Sequence, residues 1–303
     1  MKLLATGHLG FVGHALREFV ANRPDSGVQW CELSREHDVR NRADLAQMLR
    51  EHRPDWVVHL AAQSHVHASW NDPAATLQTN VGGTANLLAA LEETGFTGRL
   101  LYVSSADVYG AVPETLLPVD EQVPPAPRSP YATSKVAAEI LCRQWARARA
   151  LDFVIARPFN HTGPRQREEF ALPRFAREVA MIRLGLREPV LATGDLDVTR
   201  DFLDVNDVVD AYIRLLQRGV SGETYNVCSG REVLLRDALS MMMEIAGVKA
   251  QVVTDPALLR PSEQRRMGGS WRKLAEATGW KPATPFRDTL ASLVNHWISE
   301  LEE

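Results

Sequence analysis

The stretch Thr6-Gly7-His8-Leu9-Gly10-Phe11-Val12-Gly13 constrains this chain more than any other. Its glycines recur as G-x-x-G-x-x-G between a short apolar run, Lys2 to Ala5, and an amphipathic one, Phe11 to Asn22. A strand that ends in such a loop and feeds a helix has few folds open to it. Gly7 lets the chain turn tightly, Gly10 lets the backbone approach a pyrophosphate, and Gly13 allows close helix–strand packing. The first N–H groups of the helix then face the anion. A glycine triplet alone is a weak signal, and its strand–loop–helix context supplies the rest. The loop predicts a dinucleotide site, with Leu9, Phe11 and Val12 beside the three glycines.

The pattern downstream agrees. Gln29 to Leu33 reads as a strand and Arg42 to Glu51 as a helix. Trp56 to Ala61 is a continuous apolar run, as expected of a strand buried on both faces. Leu77 to Glu93 is helical in pattern, Leu100 to Ser104 is a strand, Pro130 to Arg149 a helix and Phe153 to Arg157 a strand. This alternation predicts an α/β fold, a Rossmann-type doubly wound parallel sheet with helices on both faces. After Pro158 the pattern loosens, with helices expected again at Leu234 to Ile245 and Phe286 to Leu301. The division expected is a dinucleotide-binding domain over 1–165 with a return segment at about 196–220. A smaller mixed α/β C-terminal substrate lobe takes about 166–195 and 221–303. The cleft between them is the natural ligand site.

Composition sets bounds. The chain has 303 residues, 45% hydrophobic and 24% charged, with a net charge of -4. These are globular values. The mild negative charge argues against nucleic acid as a partner, which needs a basic face. Cys31, Cys142 and Cys228 lack metal or disulfide spacing. No apolar run is long enough for a membrane helix, and the N-terminus lacks a signal-peptide pattern, so a cytoplasmic location is expected.

Two further clusters carry chemistry. The second strand ends in Ser34-Arg35, where a carboxylate would bond the ribose hydroxyls of NAD. Serine with arginine instead suits a 2′-phosphate, so NADP is expected, NADPH being preferred and NADH left open. Asp38 follows and could hydrogen-bond an adenine amino group. Tyr131 and Lys135 stand at Y-x-x-x-K, one turn apart on one helix face. A nearby ammonium lowers a tyrosine pKa and makes it a usable proton donor. Ser105 follows the strand Leu100 to Ser104, at the carboxyl edge where ligands bind in parallel α/β sheets.

With TGHLGFVG, HLAAQSHV, SSADVYG, PYATSK, RPFNHTGP and RDFLDVNDV in order and register, the chain resembles the extended short-chain dehydrogenase/reductases acting on nucleotide sugars. The resemblance implies Ser105, Tyr131 and Lys135 as the catalytic set. It implies Val39 beside the adenine, and Leu60, Ala61, Ala62, Asn80 and Val103 along the cofactor cleft, with Arg157 and Pro158 closing the nicotinamide side. RPFNHTGPRQ, GDLDVTRDFLDV, YNVCSG and RPSEQRR are similar to the reductases of GDP-4-keto-6-deoxy-D-mannose that make GDP-D-rhamnose. That similarity implies a GDP-linked 4-keto-6-deoxyhexose as substrate. Arg200 is expected on the pyrophosphate, Arg260 and Glu263 at the guanosine end, and Gln63, Asp107, Asn160, His161 and Arg174 along the sugar nucleotide. Relatives of this kind often pair through a helix-bundle contact, so a homodimer is expected.

Other activities on the same fold stay open. A dTDP-glucose-type 4,6-dehydratase carries Thr-Asp-Glu where this chain reads Ser105-Ala106-Asp107. Ala106 cannot transfer a proton, and Asp107 is one methylene shorter than glutamate. A 4-epimerase, or a 4-reductase giving GDP-6-deoxy-D-talose, would use the same serine, tyrosine and lysine. Asp201, Asp204 and Asp207 alternate with apolar residues; bonds to neighbouring loops and a helix N-terminus are expected there rather than a metal.

Overall fold

The computed structural model describes residues 1–33, 37–259 and 264–302. Ser34, Arg35, Arg260 and Glu263, expected at the ribose phosphate and guanosine ends, lie outside the described residues.

Strand β1 (Lys2–Thr6) leads through the glycine loop into α1 (Phe11–Ala21). Strand β2 (Gln29–Trp30) is shorter than its apolar run, and α2 (Arg42–His52) follows, capped by the Asn41 side chain on the Asp44 N–H. After β3 (Trp56–His59) come α3 (Val66–Asn71) and α4 (Pro73–Leu77). Helix α4 runs into a π-helical turn, Gln78–Gly82, and then α5 (Gly83–Glu93). The sequence pattern reads 77–93 as one regular helix; the turn is wider at 78–82 because Asn80 and Thr84 are drawn into a buried polar network described below. Strand β4 (Arg99–Val103), α6 (Pro130–Arg149) and β5 (Asp152–Pro158) complete the first half. Helix α6 starts where Ser129 caps the Ala132 N–H and Pro130 needs no donor.

The second half holds β6 (Asn160–Thr162), α7 (Ala171–Arg183), β7 (Val190–Thr193), β8 (Thr199–Asp204) and α8 (Val205–Arg218). Then follow β9 (Thr224–Val227), β10 (Glu232–Leu234), α9 (Leu235–Ala246), β11 (Gln251–Thr254), α10 (Arg272–Thr278) and α11 (Phe286–Glu302).

Among the described residues, a six-stranded sheet has the order β2-β1-β3-β4-β5-β9, and every neighbouring pair is parallel. Strand residues alternate between two cores. Leu3, Ala5, Val58, Leu101, Val154 and Ala156 pack under α1 and α8, while Leu4, Val57, Leu100, Tyr102, Phe153 and Ile155 pack under α2, α5 and α6. Burial on both faces is why these strands read as unbroken apolar runs. The lobe has its own core, with Leu172, Phe175, Leu239, Met242 and Leu290 between α7, α9 and α11. Small sheets β10-β8-β6 and β11-β7 lie on this side.

The expected boundary near 220 needs one correction. Strand β9 pairs with β5, Ile155 opposite Thr224, and Leu274 and Trp280 join the first core. The sheet therefore takes residues from beyond 220, since β5 would otherwise be left as an edge whose backbone groups lack partners.

The order of the sheet reverses at β1, between β2 and β3. That switch point opens a crevice at the carboxyl ends of the strands. The glycine loop and the start of α6 both reach it.

Candidate active site

At the β1 end the site is made of backbone. Gly7 has φ +71, and a Cβ there would meet the Ala61 backbone N at 2.8 Å. A Cβ on Gly13 would lie 2.5 Å from the His8 carbonyl oxygen. Helix α1 begins at Gly10 with no side-chain cap and no acidic residue in its first turn, so its N–H groups are open to an anion. These features fit a dinucleotide pyrophosphate. Leu9 is exposed, while Phe11 and Val12 are half-buried against the first core. Asp38 is exposed and hydrogen-bonded to Arg40, which holds its carboxyl below the ordinary range. Val39 is buried under Gly83, and Asn86 Nδ2 donates to the carbonyls of Val39 and Arg40.

At the β4 end the site is made of side chains. Ser105 opens a short turn, its Oγ accepting from the Asp107 N–H at 3.1 Å. Tyr131 and Lys135 are both buried on α6. The Lys135 Nζ donates to the Val103 carbonyl at 2.8 Å and lies 6.0 Å from the centre of the Tyr131 ring. Burial lowers the Lys135 pKa to about 8. The Tyr131 hydroxyl is a correction to the sequence reading. Burial raises its pKa, the charge on Asp107 raises it further, and a hydrogen bond with Ser105 works the other way. Burial dominates, so the hydroxyl stays protonated despite the ammonium one turn away.

Two expected cofactor contacts are otherwise engaged. The Asn80 Oδ1 accepts from the Gln63 N–H at 2.8 Å, and its Nδ2 donates to the Gln63 carbonyl at 3.0 Å and to Ser134 Oγ at 2.8 Å. Its amide thus joins the loop after β3 to α6, and Leu60, Ala61 and Ala62 flank the crevice half-buried. The Arg157 guanidinium grips the Glu139 carboxylate at 2.9 and 2.7 Å and is thus engaged within the protein.

A polar chain joins the two ends. Thr84 Oγ1 donates to the Asn80 carbonyl at 2.6 Å, so it accepts from His59 Nε2 at 3.0 Å. The His59 Nδ1 then accepts from Thr6 Oγ1 at 2.7 Å, and Thr6 takes the Ala61 N–H at 3.3 Å. Burial, with a smaller contribution from the charge on Lys135, lowers the His59 pKa to about 3. The imidazole is neutral, with its proton on Nε2.

Around the sugar cleft, Asn160 is exposed. The His161 Nδ1 donates to the Phe159 carbonyl at 2.9 Å and its ring stacks on Phe11, with 6.1 Å between centroids. Its Nε2 is therefore an acceptor. Arg200 donates to the carbonyls of Thr199 and Gln264 at 2.7 and 2.8 Å. Arg174 is paired with Glu178 and donates to the Ala192 carbonyl. The aspartates hold loops, as expected. Asp201 accepts from Ser229, Gly230 and Gly269, Asp204 caps α8, and Asp207 takes the N–H groups of Ala283 and Thr284.

Sequence reasoning missed Glu139, Ser104, Tyr109 and Asn226. The position of Glu139, one turn beyond Lys135 on the same helix, was the available signal.

Comparison with known proteins fits this geometry. The family described as GDP-mannose 4,6 dehydratase matches residues 4–293. The chain is 44% identical to the GDP-6-deoxy-D-mannose reductase of Pseudomonas aeruginosa, covering 100% of this chain and 99% of the relative. It is 29% identical to the dTDP-glucose 4,6-dehydratase of Neisseria gonorrhoeae, over 98% of this chain and 95% of that one. Among solved structures, RMD from Pseudomonas aeruginosa complexed with NADPH superposes with a TM-score of 0.95 at 43% identity, covering 99% of each chain. The UDP-glucose 4-epimerase of Thermus thermophilus in complex with NAD gives 0.85 at 31% identity, over 98% and 99% of the two chains. With a parallel sheet switching at β1, a glycine cradle at that switch and Ser105, Tyr131 and Lys135 gathered at the carboxyl end of β4, this chain belongs to the GDP-mannose 4,6 dehydratase family of extended short-chain dehydrogenase/reductases.

Proposed function

We propose that this chain reduces the C4 ketone of GDP-4-keto-6-deoxy-D-mannose to give GDP-D-rhamnose, using NADPH. One observation carries the reading: Ser105, Tyr131 and Lys135 gather at the carboxyl end of β4 in a chain 44% identical, end to end, to a GDP-6-deoxy-D-mannose reductase. When bound, the reduced nicotinamide supplies the hydride; the protein supplies geometry and charge.

Tyr131 donates the proton to the forming alkoxide. Its raised pKa keeps the hydroxyl protonated at neutral pH, the state a donor requires. Ser105 donates a hydrogen bond to the same oxygen and stabilises the charge as it develops. Lys135 uses one N–H on Val103, which leaves its other donors for the nicotinamide ribose. Its positive charge stabilises the phenolate left by proton transfer. The His161 Nε2 accepts from the sugar or the carboxamide. Asn160, Gln63 and Asp107 line the hexose, Arg200 takes the pyrophosphate, and Arg260 with Glu263 takes the guanosine end.

The test supplies GDP-4-keto-6-deoxy-D-mannose and NADPH, follows the nicotinamide absorbance, and reads the C4 configuration by proton NMR. Stoichiometric oxidation with a rhamno product is expected. A talo product corrects the stereochemistry, and bound cofactor with no net oxidation overturns the reductase reading.

We also infer a homodimer through the face formed by α3, α4 and α6. Trp70, Leu77 and Ile140 are 61, 40 and 51% exposed on helices that pack against one another there. Light scattering that gives the mass of one chain at working concentration rules this out. No described helix is long and apolar enough to cross a membrane. We assign the reaction to the cytoplasm.

A further inference from the structure

We propose that Glu139, with Arg157, is a positioning pair for the reaction. It locks the strand end that carries Ser105 to the helix that carries Tyr131 and Lys135, and it sets the charge balance around Lys135. This inference rests on the functional reading above.

The geometry comes first. The Glu139 carboxylate is 3% exposed and Arg157 is 4% exposed. The Arg157 Nε donates to Oε1 at 2.9 Å and its Nη2 to Oε2 at 2.7 Å, a bidentate fork. Ser104 Oγ donates to Oε1 at 2.6 Å. Ser104 lies between Val103, whose carbonyl receives Lys135, and Ser105. One carboxylate thus ties the end of β4 to α6, and its partner ties both to β5. Behind it, the Arg157 guanidinium carbon lies 4.8 Å over the Tyr109 ring, and the Tyr109 hydroxyl donates to Asn226 Oδ1 at 2.7 Å.

Clamping alone does not need charge. Buried ion pairs are commonly no more stabilising than apolar residues of the same shape. The charge has a use at Lys135. The groups facing that ammonium are Tyr131, Glu139 and Cys142 from its own helix, Tyr102 from β4 with its ring centre at 5.3 Å, and His59 from β3, while Arg157 of β5 lies behind Glu139. Burial holds the Tyr102 and Cys142 pKa values up and His59 neutral. Glu139 is thus the anion of this set. It supports the Lys135 charge against the burial that weakens it. With Arg157 in place, the pair adds no net charge to the interior.

The test measures kcat against pH with NADPH and the keto sugar in the full-length protein, for wild type, Glu139→Gln, the double variant Glu139→Gln/Arg157→Met, and Lys135→Met. Glu139→Gln leaves two buried cations without an anion. Its alkaline limb is expected to move to lower pH by about one unit or more, and its plateau kcat to fall about 10²-fold from lost positioning. NADPH affinity is expected to hold within about twofold, since the pair lies away from the glycine cradle. In the double variant the pair is again neutral, so the limb returns toward the wild-type position while the plateau stays low. A pair that only clamps would leave the limb where it is in both Glu139 variants, and that result overturns the proposal. If the double variant does not fold, the titration of Lys135 Nζ by 15N NMR decides: a lower midpoint in Glu139→Gln upholds the proposal and an unmoved one sinks it. Lys135→Met separates the two readings. Turnover retained there overturns the catalytic assignment itself; turnover lost there with an unmoved limb in Glu139→Gln overturns only the role of the pair.

Discussion

Around Gly7 and Gly13 the ligand crevice is walled by peptide groups packed too closely to admit a side chain. Around Lys135, a few strands away, it is walled by ionisable side chains that water does not reach. The first wall recognises an anion with fixed backbone dipoles, so it is indifferent to pH and intolerant of added atoms. The second manages a proton with side chains whose charge states depend on their neighbours, so it tolerates changes of shape better than changes of charge. Binding and chemistry are thus entrusted to different materials in one crevice.

Two substitutions should separate them most sharply. Tyr131→Phe is expected to lower turnover by about 10²- to 10⁴-fold, the worth of a positioned proton donor. NADPH affinity, read by quenching of protein fluorescence, should stay nearly intact, and unchanged turnover removes Tyr131 as the donor. Gly13→Val reverses the pattern. Its branched side chain would press on the His8 and Gly7 carbonyls, at 2.5 and 2.6 Å from Cβ. NADPH affinity should fall by about 100-fold, a loss near 2.7 kcal/mol. Retained affinity would mean that the loop can open without harm.

A smaller effect probes the link between the two walls. His59 is neutral in the fold, with its pKa lowered to about 3, and near 6.5 when unfolded. Below pH 6.5 the unfolded chain binds the extra proton, so folding stability is present above that value and is lost as pH falls toward 3. The slope in that window approaches 1.4 kcal/mol per pH unit from this group. Urea unfolding at pH 7 and pH 5 measures it. His59→Gln should flatten the dependence, and an equal slope in the two proteins would refute the assignment.

The sequence made the backbone wall legible because its requirement is local. Three glycines at fixed spacing after a strand report both the turn and the ligand. The alternating strands and helices were legible for the same reason. The side-chain wall was half legible. Tyr131 and Lys135 are one turn apart on a helix, but Glu139 finds Arg157 and Ser104 through tertiary packing, and no spacing rule spans those separations. Asn80 and Arg157 were assigned to the cofactor from the family resemblance; tertiary packing engages their side chains with Gln63, Ser134 and Glu139, which no local spacing reports. The sixth strand was misassigned because β9 is only four residues long and follows a stretch that no longer alternates.

The π turn at 78–82 has a consequence for heredity. It accommodates one residue more than a regular helix would, so deleting a single residue there would give a helix with better hydrogen bonds. That repair would also rotate everything beyond it by about 100°, turning Leu87 and Leu88 out of the core or Asn80 away from Gln63 and Ser134. The segment is therefore expected to tolerate a change of exposed side chain far better than a change of length.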